Sequence, residues 1–345
     1  MRKVLVCGAA LAAVCVSAIA VPSGAGATAP DPTPVRSSGT AKPAEQPRAA
    51  KPAPRAAKNE AVVSARAVMV TPKPPKVSTY AYGKHARQKV DVYWRPLPRK
   101  PKAKKPEAPA AKPRPAVLVL HGGYWLTGDK TGWKYFARRL NSQGFTVFAA
   151  NYRLAGQSAW PAQRDDAGKA LAFVKKHAKT WNVDPTRIVV IGSSAGGLLA
   201  TQLGTYGEGA QRVRGVVALS PVNTPYLAYQ DGLKATATDG QRRLRGAVVD
   251  LIRCVPSESD PACWNRVSDA DSSTHVSAGD APMLLMHGDS EFVPATQSTG
   301  LAAALRGVGV PATVKTVPGA MHGPALFSDE TVYPELLTWL KNRTR

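Results

Sequence analysis

The sequence predicts an α/β protein with a mostly parallel sheet covered by helices on both faces. Short apolar runs alternate with longer amphipathic segments from residue 116 nearly to the end of the 345-residue chain. The runs lack the alternation of half-exposed strands, which is typical of parallel strands buried on both faces. Two of the runs lead into glycine-rich turns, at residues 121–123 and 192–197. Strands and helices that alternate in this way form an α/β fold.

The elements are predicted in order along the chain. Tyrosines and valines in residues 77–94 are spaced as in two short strands around Gly83, which predicts an opening hairpin. The predicted strands after it are 117–120, 145–149, 187–191, 213–219, 283–287 and 313–317. The predicted helices are 133–142, 165–180, one from Leu198, 242–253, 295–306 and 332–342. Residues 221–280 interrupt the alternation with a polar insertion, which we expect to cover the carboxyl ends of the strands as a lid.

The first 27 residues predict a secretory signal peptide. Arg2 and Lys3 precede an uncharged apolar run over residues 4–20, and the small residues 25–27 offer a cleavage site. The apolar run is marginal for spanning a bilayer. We therefore expect a secreted, extracellular protein without a stable membrane anchor.

The formal charge of +23 is concentrated near the amino terminus. Residues 28–115 carry +15 of it, and residues 116–345 carry only +6. Residues 28–76 and 95–115 are rich in Ala, Pro and Lys, a composition that cannot bury enough apolar surface to fold, so we expect a disordered linker and a flexible basic loop. The linker is either a plain spacer or a contact to anionic cell-envelope polymers. No nucleic-acid-binding module is recognisable, which argues against a nucleic-acid partner.

The cysteines predict one disulfide. Cys7 and Cys15 leave with the signal peptide, so the mature protein keeps Cys254 and Cys263. In an oxidising exterior two cysteines nine positions apart favour a bond that closes a small surface loop. Two unpaired buried thiols are the alternative.

The run 191–197 (IGSSAGG) places Ser194 in a Gly-x-Ser-x-Gly pattern directly after a predicted strand. Such a serine stands at the apex of a sharp strand-to-helix turn, where only flanking glycines avoid a steric clash. The N-terminus of the following helix favours negative charge near the hydroxyl. The pattern predicts a nucleophilic serine and acyl-transfer chemistry.

A serine nucleophile needs a base, because its hydroxyl is a poor nucleophile until an imidazole accepts the proton. Of the six histidines, His322 lies on a glycine-bounded loop after the last predicted strand, and we predict that it is the base. His287 ends a buried strand, where a local hydrogen bond is expected. A carboxylate must orient the base. The loop 287–294 supplies Glu291, which we prefer for its longer reach, and Asp289 as the alternative.

Backbone N–H groups must lie where negative charge develops on the substrate oxygen. Glycines directly after a buried strand let the main chain approach a substrate. We predict an oxyanion hole formed by Gly122, Gly123 and Ala195. Tyr124 and Trp125 follow, and we expect them to line a substrate pocket or to pack beneath the lid.

Four runs carry a resemblance to a known family: 121–125 (HGGYW), 192–197 (GSSAGG), 287–288 (HG) and 318–323 (PGAMHG). They resemble the α/β-hydrolase superfamily. Within it they are most similar to the hormone-sensitive-lipase-like carboxylesterases and the related feruloyl-esterase-like and kynurenine-formamidase-like group. The resemblance covers about residues 77–345 and implies an α/β-hydrolase domain there.

Two departures from the family pattern are visible. The loop after His287 is one residue shorter than in relatives and carries Glu291. Ser193 stands where the lipase-like branch often has Asp, which brings the chain closer to the feruloyl-esterase-like and formamidase-like side.

The expected function is that of a secreted serine carboxylic-ester hydrolase that works through an acyl-enzyme, with no cofactor and no metal. The expected substrate is a small-molecule or polysaccharide-linked ester. An arylformamidase or amide hydrolase of the same fold is one alternative, which the signal peptide opposes. A catalytically inactive cell-envelope binding protein is another, which the intact Ser194 and His322 oppose.

Overall fold

The structure is a computed structural model that describes residues 73–97 and 111–345. Its strands within these ranges are β1 (Lys76–Ala81), β2 (Lys89–Trp94), β3 (Arg114–Leu120), β4 (Thr146–Ala150), β5 (Val183–Ser193), β6 (Gly215–Leu219), β7 (Met283–Gly288) and β8 (Ala312–Val317). They form one sheet in the order β1-β2-β4-β3-β5-β6-β7-β8. β1 and β2 pair antiparallel with each other, as do β2 and β4, whereas every later pairing is parallel.

The helices of the described ranges are α1 (Lys134–Ser142), α2 (Ala162–Lys176), α3 (Ala195–Thr205), α4 (Gly209–Arg212), α5 (Pro225–Asp231), α6 (Asp239–Ile252), α7 (Pro261–Ala270), α8 (Thr296–Gly307) and α9 (Val332–Arg343). Short 3₁₀ segments lie at Lys130–Trp133, Ala178–Trp181, Ser272–His275 and Gly323–Ser328.

Alternate side chains of the strands fill two separate cores, one on each face of the sheet. In β3, Leu118 belongs to one core and Val117 to the other. The first core also contains apolar residues of α2, α3, α6 and α8, and the second contains those of α1 and α9. Because β4 and β6 are buried along their whole length, their continuous apolar sequences follow from burial on both faces.

The insertion of residues 221–280 carries α5, α6 and α7. α6 begins with a capping box formed by Thr238 and Gln241. The structure contains the expected disulfide, which joins Cys254, just after α6, to Cys263 in α7. The amino-terminal turn of α6 lies against the loop after β7, where a Cβ on Gly240 would contact the Phe292 ring.

The predicted fold class is confirmed: the sheet is mostly parallel and helices cover both faces. α5 and α7 were not predicted, and the helix expected over 165–180 ends at Lys176, with a 3₁₀ segment after it. β1 begins at the last residue of the expected linker, and β3 begins inside the expected flexible loop. Three predicted segments lie outside the described residues: the signal peptide, the linker up to residue 72 and loop residues 98–110.

None of the helices in the described ranges combines the length and the apolar character needed to cross a membrane.

Candidate active site

A sharp turn between β5 and α3 presents Ser194. The residue has φ 52° and ψ −120°, a conformation that costs energy for any residue with a side chain and that the surrounding structure must hold. A Cβ on Gly192 would overlap the backbone of Gly196, and a Cβ on Gly196 would overlap the carbonyl groups at the end of β3. The two glycines of the motif therefore allow the backbones to approach closely.

His322 and Glu291 form a pair on the loops that follow β8 and β7. Nδ1 of His322 contacts Oε2 of Glu291. The other carboxylate oxygen, Oε1, accepts the N–H of Gly288 at 3.0 Å and lies 3.3 Å from Nδ1 of His287. The Glu291 side chain is fully buried, whereas 25% of the His322 side chain is exposed. Because Nδ1 is bound to the carboxylate, Nε2 of His322 is the nitrogen left for proton transfer.

The partners of Glu291 keep it ionised. Burial by itself raises the pKa of this carboxyl, but hydrogen bonds from His287 and His322, together with the charge of His322, outweigh burial and hold the pKa of Glu291 below its usual range. An ionised carboxylate fixes the tautomer of its histidine and stabilises the imidazolium form.

Asp289 has a different partner. Its Oδ1 accepts the N–H of Gly319 at 2.9 Å, so it links the loop after β7 to the loop that carries His322. The structure thus brings Glu291 to His322 and uses Asp289 to join the two loops.

The expected hydrogen bonds of His287 are present: its imidazole contacts the Ser298 hydroxyl at 2.7 Å and the Val293 carbonyl at 3.0 Å.

The backbone N–H groups of Gly122, Gly123 and Ala195 have no hydrogen-bond acceptor among residues 73–97 and 111–345. Gly122 and Gly123 belong to the 121–128 loop, which follows β3, and Ala195 is the first residue of α3, directly after Ser194. The N–H at the first position of a helix has no acceptor within that helix. These groups are free to donate to a bound ligand.

Residues of the Ser194 turn, the 121–128 loop and the His322 loop line a cavity of about 430 Å³. Its lining residues are His121, Gly122, Gly123, Tyr124, Gly128, Asp129, Gly132, Trp133, Ser193, Ser194, Phe292, His322, Gly323 and Pro324. Ser194 and His322 face the same space. Within the described ranges no hydrogen bond joins their side chains, and the His322 imidazole binds Glu291. In unliganded enzymes such bonds are often long and tighten once substrate is bound.

Aromatic rings cover one side of the cavity. Phe292 lies 4.4 Å from the His322 ring and stacks on Tyr124 at 6.1 Å, measured between ring centroids. The guanidinium of Arg243, from α6, lies 4.6 Å above the Tyr124 ring. The insertion therefore contacts the wall of the cavity, as expected for an element over the carboxyl ends of the strands.

Trp125 does not line the cavity, which corrects the expectation of a pocket role for it. The residue is fully buried in the first core. It has φ 58°, which lies in the left-handed region, and its carbonyl accepts the N–H of Ala155 at 2.8 Å. The 121–128 loop turns the ring inward, so Tyr124 alone of the pair lines the cavity.

Asp129 contributes a fixed negative charge to the cavity wall. Burial raises the pKa of its carboxyl, but hydrogen bonds from the Thr131 N–H and the Asn151 side-chain amide, at 2.9 and 2.6 Å, outweigh burial and lower the pKa to about 2. Asp129 is therefore ionised at any ordinary working pH.

Two residues near His322 were missed in the sequence. Ser220, at the end of β6, has φ 50°, and its hydroxyl accepts the N–H of Gly323 at 2.8 Å, next to His322. Phe292 directly follows Glu291 in the loop after β7. The position of Ser220 directly after a buried strand could have indicated it, because the other site residues lie at the same edge of the sheet.

Within residues 73–97 and 111–345, no three His, Cys, Asp or Glu side chains are grouped as a metal site would require.

Several known proteins that are similar to this chain are named as ester hydrolases or esterases. A family model described as BD-FAE matches residues 105–226. The probable carboxylic ester hydrolase LipM of Mycobacterium tuberculosis is 28% identical over 246 residues, which are 66% of this chain and 51% of LipM. The chain thus spans about half the length of this curated relative.

Two solved structures share the fold. The acetyl ester-xyloside bifunctional hydrolase of Caldicellulosiruptor lactoaceticus superposes with a TM-score of 0.57 at 24% identity, over 79% of this chain and 98% of its own. A truncated carbohydrate esterase from gut microbiota gives a TM-score of 0.59 at 22% identity, over 79% and 99%.

The family model covers the part of the chain from β3 to the first two residues of α5, including the 121–128 loop and Ser194. The sheet around it recurs in the two solved structures. The chain accordingly has the α/β-hydrolase fold.

Proposed function

We propose that this protein is a serine hydrolase that cleaves carboxylic esters, with Ser194 as nucleophile, His322 as base and Glu291 as the orienting acid. One observation carries the proposal: His322, bound through Nδ1 to the buried Glu291, lines the same cavity as Ser194 on its strained turn. The relatives named as ester hydrolases agree with it.

The reaction follows from the geometry. Ser194 Oγ attacks the ester carbonyl carbon while Nε2 of His322 takes the hydroxyl proton. The oxygen of the tetrahedral intermediate accepts hydrogen bonds from the N–H groups of Gly122, Gly123 and Ala195. The intermediate collapses, and the alcohol leaves with the proton from His322, which gives an acyl-enzyme. Water then attacks the acyl carbon, again with His322 as base. When the second tetrahedral intermediate collapses, the bond to Ser194 Oγ breaks, His322 returns the proton to Oγ, and the carboxylic acid leaves.

A small or hydroxylated ester suits the cavity. Its volume of about 430 Å³ is at the lower end of small-molecule sites. The ionised Asp129 in its wall accepts hydrogen bonds from hydroxyl groups and repels anionic ones. Structural neighbours named as a carbohydrate esterase and an acetyl ester-xyloside hydrolase support an acylated sugar as the substrate class.

Covalent labelling tests the nucleophile. Wild-type protein is treated with a fluorophosphonate probe, and the modified residue is identified by peptide mass mapping. We expect a single adduct on Ser194, absent from Ser194→Ala and retained in Ser193→Ala, the matched control one residue away. An adduct on Ser193, or a folded wild type that neither reacts nor hydrolyses p-nitrophenyl acetate, would contradict the proposal.

We also propose that the protein is exported and that its basic amino-terminal segment contacts anionic envelope polymers. The apolar run and small-residue site before residue 28 support export, and the +15 charge of residues 28–115 supports the contact. Amino-terminal sequencing of protein recovered from culture medium tests export, and a chain that stays inside the cell uncleaved would contradict it.

A further inference from the structure

Arg87 reaches from the turn between β1 and β2 to both ends of the 121–128 loop. Its Nη2 lies 3.1 Å from Nε2 of His121 and donates to the carbonyl of Gly128 at 2.8 Å. Its Nε donates to the carbonyl of Tyr152 at 2.9 Å. One guanidinium thus joins three segments that lie far apart in the sequence.

The contact with Arg87 fixes the tautomer of His121. Arginine has donors and no acceptor, so Nε2 of His121 must be the accepting, unprotonated nitrogen. The proton of the neutral ring is then on Nδ1, which lies 2.8 Å from the carbonyl oxygen of Gly122 and donates to it. The neutral state agrees with burial, which lowers the pKa of His121 to about 4.

The Gly122 carbonyl and the Gly123 N–H belong to one planar peptide unit. In a trans peptide these two groups point in opposite directions. A carbonyl held toward the His121 ring therefore directs the Gly123 N–H away from it. That N–H has no acceptor in the described part of the chain, and Gly123 lines the cavity.

The surroundings leave the imidazole little freedom. Tyr152 stacks on it with ring centroids 4.4 Å apart, and the Tyr152 hydroxyl donates to the His121 carbonyl at 2.7 Å. On the other side Gly128, at φ 99°, lies so close that a Cβ there would overlap the ring and the Gly122 carbonyl. The ring is held in place, and the Arg87 donor at Nε2 and the Gly122 carbonyl at Nδ1 together place the proton on Nδ1.

We propose that Arg87 is a positioning residue for the oxyanion hole: through His121 it sets the orientation of the Gly122–Gly123 peptide and so directs the Gly123 N–H at the substrate oxygen. The inference rests on the esterase function proposed above and adds to it a residue that does not touch the substrate. Because Arg87 lies 34 residues before His121, no local sequence pattern indicates their contact.

The test compares Arg87→Met, which cannot donate to Nε2, with Arg87→Lys, which keeps a donor, and with Lys84→Met, an exposed control in the same turn. On p-nitrophenyl acetate we expect Arg87→Met to lower kcat by about 10- to 100-fold, less than complete loss of an oxyanion donor, with KM within about twofold. Arg87→Lys recovers part of the loss, and Lys84→Met stays at the wild-type value. An aryl boronic acid, which forms the tetrahedral oxyanion, loses affinity for Arg87→Met by the same factor as kcat.

A second readout does not need activity. ¹⁵N spectra of the imidazoles, with His121→Asn to assign the signals, should show His121 protonated only on Nδ1 in wild type and a mixture of tautomers in Arg87→Met. Wild-type kcat in Arg87→Met, or a His121 protonated on Nε2 in wild type, overturns the inference. A wild type with the expected tautomer but no esterase activity would instead refute the proposed function.

Discussion

Glu291 binds His322 through one carboxylate oxygen and the backbone N–H of Gly288 through the other. The acid is thereby held to the end of β7 by its own side chain, three residues further along the loop. The shorter Asp289 instead binds the N–H of Gly319. The two carboxylates that the sequence offered for one role thus have separate partners.

Removal of the two acids should have unequal effects. Glu291→Gln is expected to lower kcat by about 10³- to 10⁴-fold, because an amide cannot fix the imidazole tautomer and stabilise imidazolium as a carboxylate does. Asp289→Asn, the matched control, should cost less than about tenfold, because it affects only a contact between loops. Ester hydrolysis and thermal unfolding of both variants provide the measurement, and a larger kcat loss in Asp289→Asn would reject Glu291 as the acid.

The stability of the protein should fall in mild acid through His121. The unfolded chain binds a proton at this residue below its ordinary pKa of 6.5, whereas the folded protein does so only near pH 4. The folded state is therefore destabilised as the pH falls from 6.5 to 4, by on the order of 2 to 3 kcal/mol at the lower limit. Urea unfolding over this pH range, with His121→Asn for comparison, tests the effect. An equally steep pH dependence in His121→Asn would show that another group causes it.

Gly196→Ala should damage the site, because the new Cβ would overlap backbone carbonyl groups of β3 and of the 121–128 loop. We expect kcat to fall by at least about 100-fold, as in removal of an oxyanion donor. Gly300→Ala in α8, where a Cβ meets no atom within 4 Å, is the control and should raise the free energy of unfolding by about 0.5–1 kcal/mol. Full activity in Gly196→Ala would contradict the close approach.

The disulfide should stabilise the insertion without affecting turnover. Replacement of Cys254 and Cys263 by Ser together is expected to lower the free energy of unfolding by about 2–3 kcal/mol, from the entropy of the short loop. Turnover of p-nitrophenyl acetate at 25 °C should stay within about twofold of wild type. Denaturant unfolding with and without reductant checks the first expectation, and a large activity loss in a folded double variant would link the bond to the site.

The basic amino-terminal segment should be dispensable for turnover. A mature protein that begins at Lys73 keeps all residues of the cavity, so kcat/KM on soluble esters should equal that of the chain that begins at Thr28. Retention on an anionic polymer column at low salt should decrease, and added salt should abolish the difference. Lost turnover would show that the segment contributes to the folded domain.

The sequence predicted those parts of the molecule that local patterns determine. Continuous apolar runs marked the strands, and the Gly-x-Ser-x-Gly pattern marked the turn at Ser194. Glycines directly after predicted strands indicated the loops that carry Gly122 and His322. α5 and α7 were not predicted, because polar residues dominate the insertion and obscure the apolar face of each helix. Pro225 and Pro261 are nevertheless favourable residues at the first position of a helix.

The remaining site features depend on contacts between distant segments. No pattern around Arg87 indicates that it meets His121 and Gly128, because only the antiparallel pairing of β2 with β4 brings its turn to that end of the sheet. Likewise, the two aromatics after Gly123 look equivalent in the sequence. Both have φ 58° in the folded loop, and only the packing of that loop places the Trp125 ring in the core and Tyr124 in the cavity wall.

The contact between Gly240 and Phe292 bears on how this protein could be redesigned. Replacing residues 225–270 with the corresponding segment of a protein of the same fold would leave the turn at Ser194 intact. It would, however, change what packs against the Phe292 ring beside His322. A graft chosen to widen the cavity would therefore also change what covers the His322 ring, unless it kept a glycine at position 240.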